Sequence, residues 1–254
     1  MKKLIAANWK MNKTVEEAVS AVNKLKELVK DIDNADIAVC PPFTALKAVS
    51  EELEESNIKL GAQNMHFEDA GAFTGEVSPV MLKEIGCQYV ILGHSDRRGI
   101  FGERDSFVNK KIIAALKHSL NPILCVGENA KQRKSGKTKE VIESQVKKCL
   151  ENIDKSDMAK VSIAYEPIWA ISRGNPNARP ATAKDAEESH KFIRNVLKEL
   201  FGEKTAKNTK IIYGGSMKPG NAKELLAMPD IDGGLIGNAS LDAKSFAGIV
   251  SAAK

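Results

Sequence analysis

LIAANWKMNKTVEEAVSAVNKLKELVKDIDNADIAVC, residues 4–40, carries the pattern that decides the fold. It opens with a β-like apolar run, Leu4 to Ala7. Ala18, Ala21, Val22, Leu25, Leu28 and Val29 then recur at steps of three and four, which puts them on one face of a helix. Ile37 to Cys40 is a second apolar run, closed by Pro41-Pro42. Strand, helix and strand in this order make a βαβ unit, which needs roughly 30 residues or more.

The alternation continues along the whole chain. Helical spacing resumes around Leu46 and Leu53, and Ile58 to Ala62 reads as a third strand. A glycine-rich loop, Gly71 to Gly75, and a short helix near Pro79 to Ile85 follow. Tyr89 to Leu92 is a fourth strand, backed by a helix through Val108, Ile112, Ala115 and Leu116. Pro122 to Val126 leads to a helix with Ile142, Val146, Cys149, Leu150 and Ile153. Val161 to Tyr165 precedes a long loop and a helix with Ile193, Val196, Leu197 and Leu200. Ile211 to Tyr213 and Gly234 to Ile236 are the last two strands, each followed by a helix. Strands this uniformly apolar are covered on both faces, as in a parallel sheet. Eight strand–helix units predict an α/β protein with a single (β/α)₈ barrel domain over residues 1–254, an open doubly wound sheet being the alternative. No Gly-x-Gly-x-x-Gly follows the first strand, so a dinucleotide-binding version has no support.

Composition narrows the function. Hydrophobic residues at 43% and charged ones at 28% exclude disorder, collagen and coiled coil. The 38 Lys and Arg against 33 Asp and Glu leave +5, which suits a small anionic substrate and not nucleic acid. Cys40, Cys87, Cys125 and Cys149 form no CxxC pair and read as reduced, buried thiols with no zinc site. The first apolar run is too short for a signal peptide, and none approaches the ~18 residues of a membrane span. A cytoplasmic protein without membrane contact is expected.

In a barrel, chemistry sits where strands end. Those positions hold Asn8-Trp9-Lys10, Gln63-Asn64, Gly93-His94-Ser95-Asp96-Arg97-Arg98, Gly127-Glu128, Glu166-Pro167, Gly214-Gly215-Ser216 and Gly237-Asn238. A purely structural barrel has no reason to collect a Lys, a His and a Glu at one rim. His66, His118 and His190, by contrast, read as ordinary core or surface residues. Lys131 to Lys139 reads as a solvated basic helix start, and Trp169 as packing or a hinge.

The stretches AANWKMN (6–12), GAQN (61–64), GAFTGEVS (71–78), GHSDRR (93–98), FGE (101–103), CVGE (125–128), AYEPIWAI (164–171), YGGS (213–216) and DGGLIGNASL (232–241) resemble the triosephosphate isomerase family, in order and over essentially the whole chain. The resemblance implies interconversion of dihydroxyacetone phosphate and glyceraldehyde 3-phosphate with no metal or organic cofactor. Glu166 would move the carbon-bound proton. His94, as a neutral imidazole, and Lys10 would face the enediolate charge, with Asn8 holding Lys10 or the substrate oxygen. Phosphate would be held by backbone N–H groups at Gly214, Gly215, Ser216, Gly237, Asn238 and Ser172. Ile171 and Leu235 would form an apolar cover that excludes water from the base. The loop Gly71–Ser78 would dock beside a second copy, giving a homodimer.

Three positions depart from the family. Asp96 stands where it has Glu; a carboxylate there is expected to position Lys10 or exchange hydrogen bonds around it, the shorter side chain leaving a gap that water fills. Asn238 replaces a glycine, which is expected to tighten the approach to phosphate. The lid reads Ala170-Ile171-Ser172-Arg173-Gly174-Asn175 and runs longer before its helix. Two other readings compete: a phosphosugar aldolase-type barrel with a Schiff base on Lys10, and a catalytically inactive sugar-phosphate-binding protein. Retention of Lys10, His94 and Glu166 disfavours the second.

Overall fold

The first unit shows how the pattern becomes structure. In the computed structural model, which describes residues 1–170 and 181–253, the first apolar run lies within β1 (Lys3–Asn8). Thr14 stops the chain before α1 (Val15–Val29): its side chain accepts the Glu17 N–H, and the Glu17 carboxylate accepts the Thr14 N–H. This reciprocal cap satisfies two amides at the helix start. Ala18, Val22, Leu25 and Val29 form the buried stripe. Leu28, expected on that face, is 45% exposed. It stands one position, about 100° of rotation, from Val29, at the rim of the stripe.

The remaining units repeat the plan. β2 (Ala35–Cys40) leads to α2 (Leu46–Glu52), and β3 (Ile58–Ala62) to α3 (Pro79–Ile85). β4 (Tyr89–Leu92) is followed by α4 (Ser95–Ile100) and α5 (Asp105–Lys117), and β5 (Asn121–Val126) by α6 (Ala130–Lys134) and α7 (Thr138–Cys149). β6 (Ser162–Tyr165) precedes α8 (Ala183–Phe201) and α9 (Glu203–Asn208). β7 (Lys210–Tyr213) with α10 (Pro219–Leu226), then β8 (Gly233–Ile236) with α11 (Ala243–Ser251), complete the order. Leu200, in the last turn of α8, is exposed as Leu28 is, although it was expected on the apolar face. The basic stretch 131–139 spans all of short α6 except its first residue, then the start of α7, mostly exposed.

The strands pair in parallel and in chain order, and β8 returns to β1 with Leu4 opposite Gly233 and Ala7 opposite Ile236. The sheet is a closed barrel, and the doubly wound alternative is excluded. Alternation along each strand divides the core in two. Leu4, Ala6, Ala38, Cys40, Ile91, Ile123, Cys125, Ala164, Ile212 and Leu235 form a cluster of their own inside the barrel. Ile5, Ala7, Ile37, Val39 and their counterparts pack outward against the helices. All four cysteines are buried and free. Among the described residues no helix is long and apolar enough to cross a membrane.

His190 on α8 is fully buried in the outer layer, edge-on to the Tyr165 ring at 5.8 Å. Its Nδ1 lies 3.1 Å from the Asp230 carbonyl, which accepts its proton. Burial pushes its pKa down to about 4. The unfolded chain therefore takes up the proton first as pH falls from about 6.5, and stability drops until the folded pKa is passed near 4. The full effect is roughly 3 kcal/mol. Thermal unfolding at pH 7 and pH 4.5 should show a smaller drop for His190→Gln than for the natural chain. Equal drops would refute this account.

Candidate active site

Glu166 directly follows β6, and its N–H donates to the Val126 carbonyl at 2.8 Å, so the strand ladder carries it. The side chain is buried at 2% exposure. Its Oε2 accepts the Ser95 N–H at 2.9 Å and its Oε1 accepts the Ser95 hydroxyl at 3.0 Å. The same Oε1 lies 3.0 Å from His94 Nε2. His94 caps α4: its Nδ1 accepts the Asp96 N–H at 3.1 Å. An Nδ1 that accepts carries no proton, so the ring hydrogen is assigned to Nε2, facing the carboxylate. Two glycines make room for this arrangement. A Cβ on Gly127 would sit 1.9 Å from the Glu166 carbonyl oxygen, and one on Gly214 2.9 Å from the Glu166 Cγ.

Lys10 arrives from β1 with a left-handed backbone, φ +53°. Its N–H donates to Asn8 Oδ1 at 3.1 Å, and its carbonyl accepts from Gln63 Nε2 at 2.8 Å. Its ammonium lies 3.0 Å from Asp96 Oδ2. The expected gap beside Asp96 is therefore corrected: the shorter carboxylate reaches Lys10 directly, because α4 begins immediately after His94 and brings Asp96 close.

The glycine turns follow β7 and β8. Gly214 and Gly215 are half-buried and Ser216 exposed. Gly237 lies beside Lys10, its Cβ position 3.9 Å from the Lys10 Cε. Asn238 opens a 3₁₀ turn to Ser240 and is not among the described residues with positive φ, so its backbone is one that any residue adopts. Leu235 belongs to the barrel interior together with Cys125. Burial first, then the Glu166 charge, pushes the Cys125 thiol up, which leaves it a packing residue under the carboxylate. Ile171 and Ser172 lie outside the described residues. Among the described residues no group of three or more His, Cys, Asp and Glu is placed to hold a metal ion.

Glu128, at the end of β5, belongs to the scaffold. It is fully buried and accepts from Tyr165 Oη at 3.2 Å, Arg133 at 3.2 Å and Thr138 Oγ1 at 3.4 Å. The Arg133 guanidinium also covers the Trp169 ring at 3.9 Å, so Trp169 is packed as expected.

Comparison with known proteins shows the family. The triosephosphate isomerase family model matches residues 3–253. The chain belongs to the triosephosphate isomerase family. It is 55% identical over 249 residues to the triosephosphate isomerase of Carboxydothermus hydrogenoformans, covering 98% of both chains. It is 52% identical over 248 residues to that of Clostridium botulinum strain Okra, again covering 98% of both. Identity to the enzyme of Aquifex aeolicus is 50% over 250 residues, 98% of this chain and 99% of the relative.

In this member of the triosephosphate isomerase family, Ser95 contacts the candidate base through two groups, yet the sequence reading assigns it no role. A hydroxyl one residue after a strand-end histidine was the only available signal. Gly127 was likewise read only as part of a motif. Its need to be glycine comes from a carbonyl in the next unit.

Proposed function

We propose that the protein is a triosephosphate isomerase, interconverting dihydroxyacetone phosphate and D-glyceraldehyde 3-phosphate through an enediol or enediolate. On this reading it is a single catalytic domain over residues 1–254 that acts in the cytoplasm in glycolysis and gluconeogenesis and uses no cofactor. One observation carries the reading: three strand ends bring Glu166 Oε1 to 3.0 Å from His94 Nε2 and hold the Lys10 ammonium 3.0 Å from Asp96.

Glu166 removes the proton from one substrate carbon and returns it to its neighbour. To do so it exchanges its Ser95 bonds for the substrate. His94 donates from Nε2 to the oxygen that gains charge, and Lys10 supplies a fixed positive charge beside it. Asn8 acts by holding Lys10, since its Oδ1 already accepts the Lys10 N–H. Backbone N–H groups of Gly214, Gly215, Ser216, Gly237, Asn238 and Ser172 take the phosphate, while Ile171 and Leu235 keep water from the base. The test is a coupled assay that starts from glyceraldehyde 3-phosphate. Turnover is expected, and a folded protein that gives none overturns the reading.

A homodimer through Gly71–Ser78 belongs to the same proposal. Residues 71–76 are all exposed. They include Phe73, 42% exposed, whose ring packs on His66 with centroids 4.1 Å apart. Met11, next to Lys10, is 95% exposed. Apolar side chains presented this way favour burial against a second copy. Sedimentation at micromolar concentration should give twice the chain mass, and a fully active monomer would rule the contact out.

A further inference from the structure

We propose that Gln63 is a positioning residue for Lys10, acting by locking the backbone from which the ammonium projects; this rests on the role given to Lys10 above. Gln63 follows β3 and, among the described residues, hydrogen-bonds to neither His94 nor Glu166. Its carboxamide nitrogen makes two bonds, to the Lys10 carbonyl at 2.8 Å and to the Cys40 carbonyl at 2.9 Å. Both acceptors are carbonyl oxygens, so the amide is fixed with its nitrogen inward. The flipped orientation would set oxygen against oxygen.

Lys10 needs such a clasp because of its backbone. A non-glycine residue at φ +53° is in a disfavoured region and persists only when its surroundings over-determine it. The Asn8 side chain holds the Lys10 N–H and Gln63 holds its carbonyl, so both peptide groups flanking the Lys10 Cα are tied. Relaxing Lys10 to an extended conformation turns its carbonyl away and breaks the Gln63 bond. The Cys40 carbonyl also accepts the Trp9 N–H, at 3.2 Å. One carboxamide thus joins the ends of β1, β2 and β3 at the residue that carries the charge. The ammonium direction follows from the Lys10 Cα–Cβ bond, which these contacts set.

The experiment is a double-mutant cycle on the full chain, measuring kcat and KM with glyceraldehyde 3-phosphate. Gln63→Met keeps length and flexibility but removes both donors. It is expected to lower kcat/KM about tenfold or more, and to have less than a twofold further effect when added to Lys10→Ala. An equal fold loss in both backgrounds would overturn the proposal, because it would mark a general structural role. If Gln63→Met does not fold, Gln63→Asn, which keeps the donors but shortens their reach, goes through the same cycle with the same two outcomes. Wild-type turnover in Lys10→Ala would overturn the reading of Lys10 and this proposal with it. A large loss in Lys10→Ala beside an undiminished, folded Gln63→Met would overturn this proposal alone.

Discussion

Glu166→Asp is expected to lower turnover by about a hundredfold while leaving the fold intact. The change withdraws the carboxylate by ~1 Å, and a misplacement of that size at a reacting group costs on the order of 10². The fold should survive because the backbone link of residue 166 to Val126 does not involve the side chain. The shorter side chain also gives up part of its hold on Ser95, whose N–H and hydroxyl are 2.9 and 3.0 Å from the present carboxylate. Steady-state kinetics with a thermal-unfolding control checks the result. Wild-type turnover in this variant would show that Glu166 is not the base.

Gly127→Ala should be damaging in a different way. The new methyl would lie 1.9 Å from the Glu166 carbonyl oxygen and 2.8 Å from its carbonyl carbon, where ordinary contact begins at 3.4 Å. Neither side can yield easily. Gly127 is held from the helix layer by Gln145, which accepts its N–H at 2.8 Å and donates to its carbonyl at 3.3 Å. Glu166 is fixed through Val126. Overpacking of this kind costs about 1–3 kcal/mol, and more where backbone is struck. The carboxylate moves with its backbone, so a turnover loss of about 10² or more should accompany the lowered Tm. A variant with unchanged Tm and near-normal turnover would show slack at the end of β6 that the packing does not suggest.

The barrel was legible because its strands are short apolar runs punctuated by Gly, Pro and polar residues, and because eight repeats leave few other ways to bury both faces. Long helices such as α1 declared themselves by period. The shortest carry no such stripe: α4 and α6, of six and five residues, hold too few turns for one to register. Rim leucines are a related miss. Leu28 and Leu200 satisfy the spacing but fall outside the arc that the neighbouring helices cover. Periodicity gives a face without giving its width.

Within the site, single residues and the hold of Asn8 on Lys10 were legible, and most other partnerships were not. Lys10, His94 and Glu166 stand out as charged or ionisable groups among glycines at strand ends. That Ser95 would hold Glu166, or Asp96 reach Lys10 with no water between, depends on how loops from different units meet above the barrel. Glu128 shows a different arrangement. It stands two residues past the end of β5, yet its side chain is taken up by Tyr165, Arg133 and Thr138 and not by the groups around Glu166.

Closure of β1 on β8 has a bearing on how molecules of this kind can associate. An open sheet ends in strands with unpaired N–H and C=O groups, and a neighbouring chain can add a strand there by backbone bonding alone. The ring formed here has no such margin, since every strand has a neighbour on each side. Recruitment of another chain must then depend on side-chain identity on the helices and in the connecting loops, and that is open to selection residue by residue. A sticky edge would accept almost any extended peptide, whereas a loop such as 71–78 can recognise a shape.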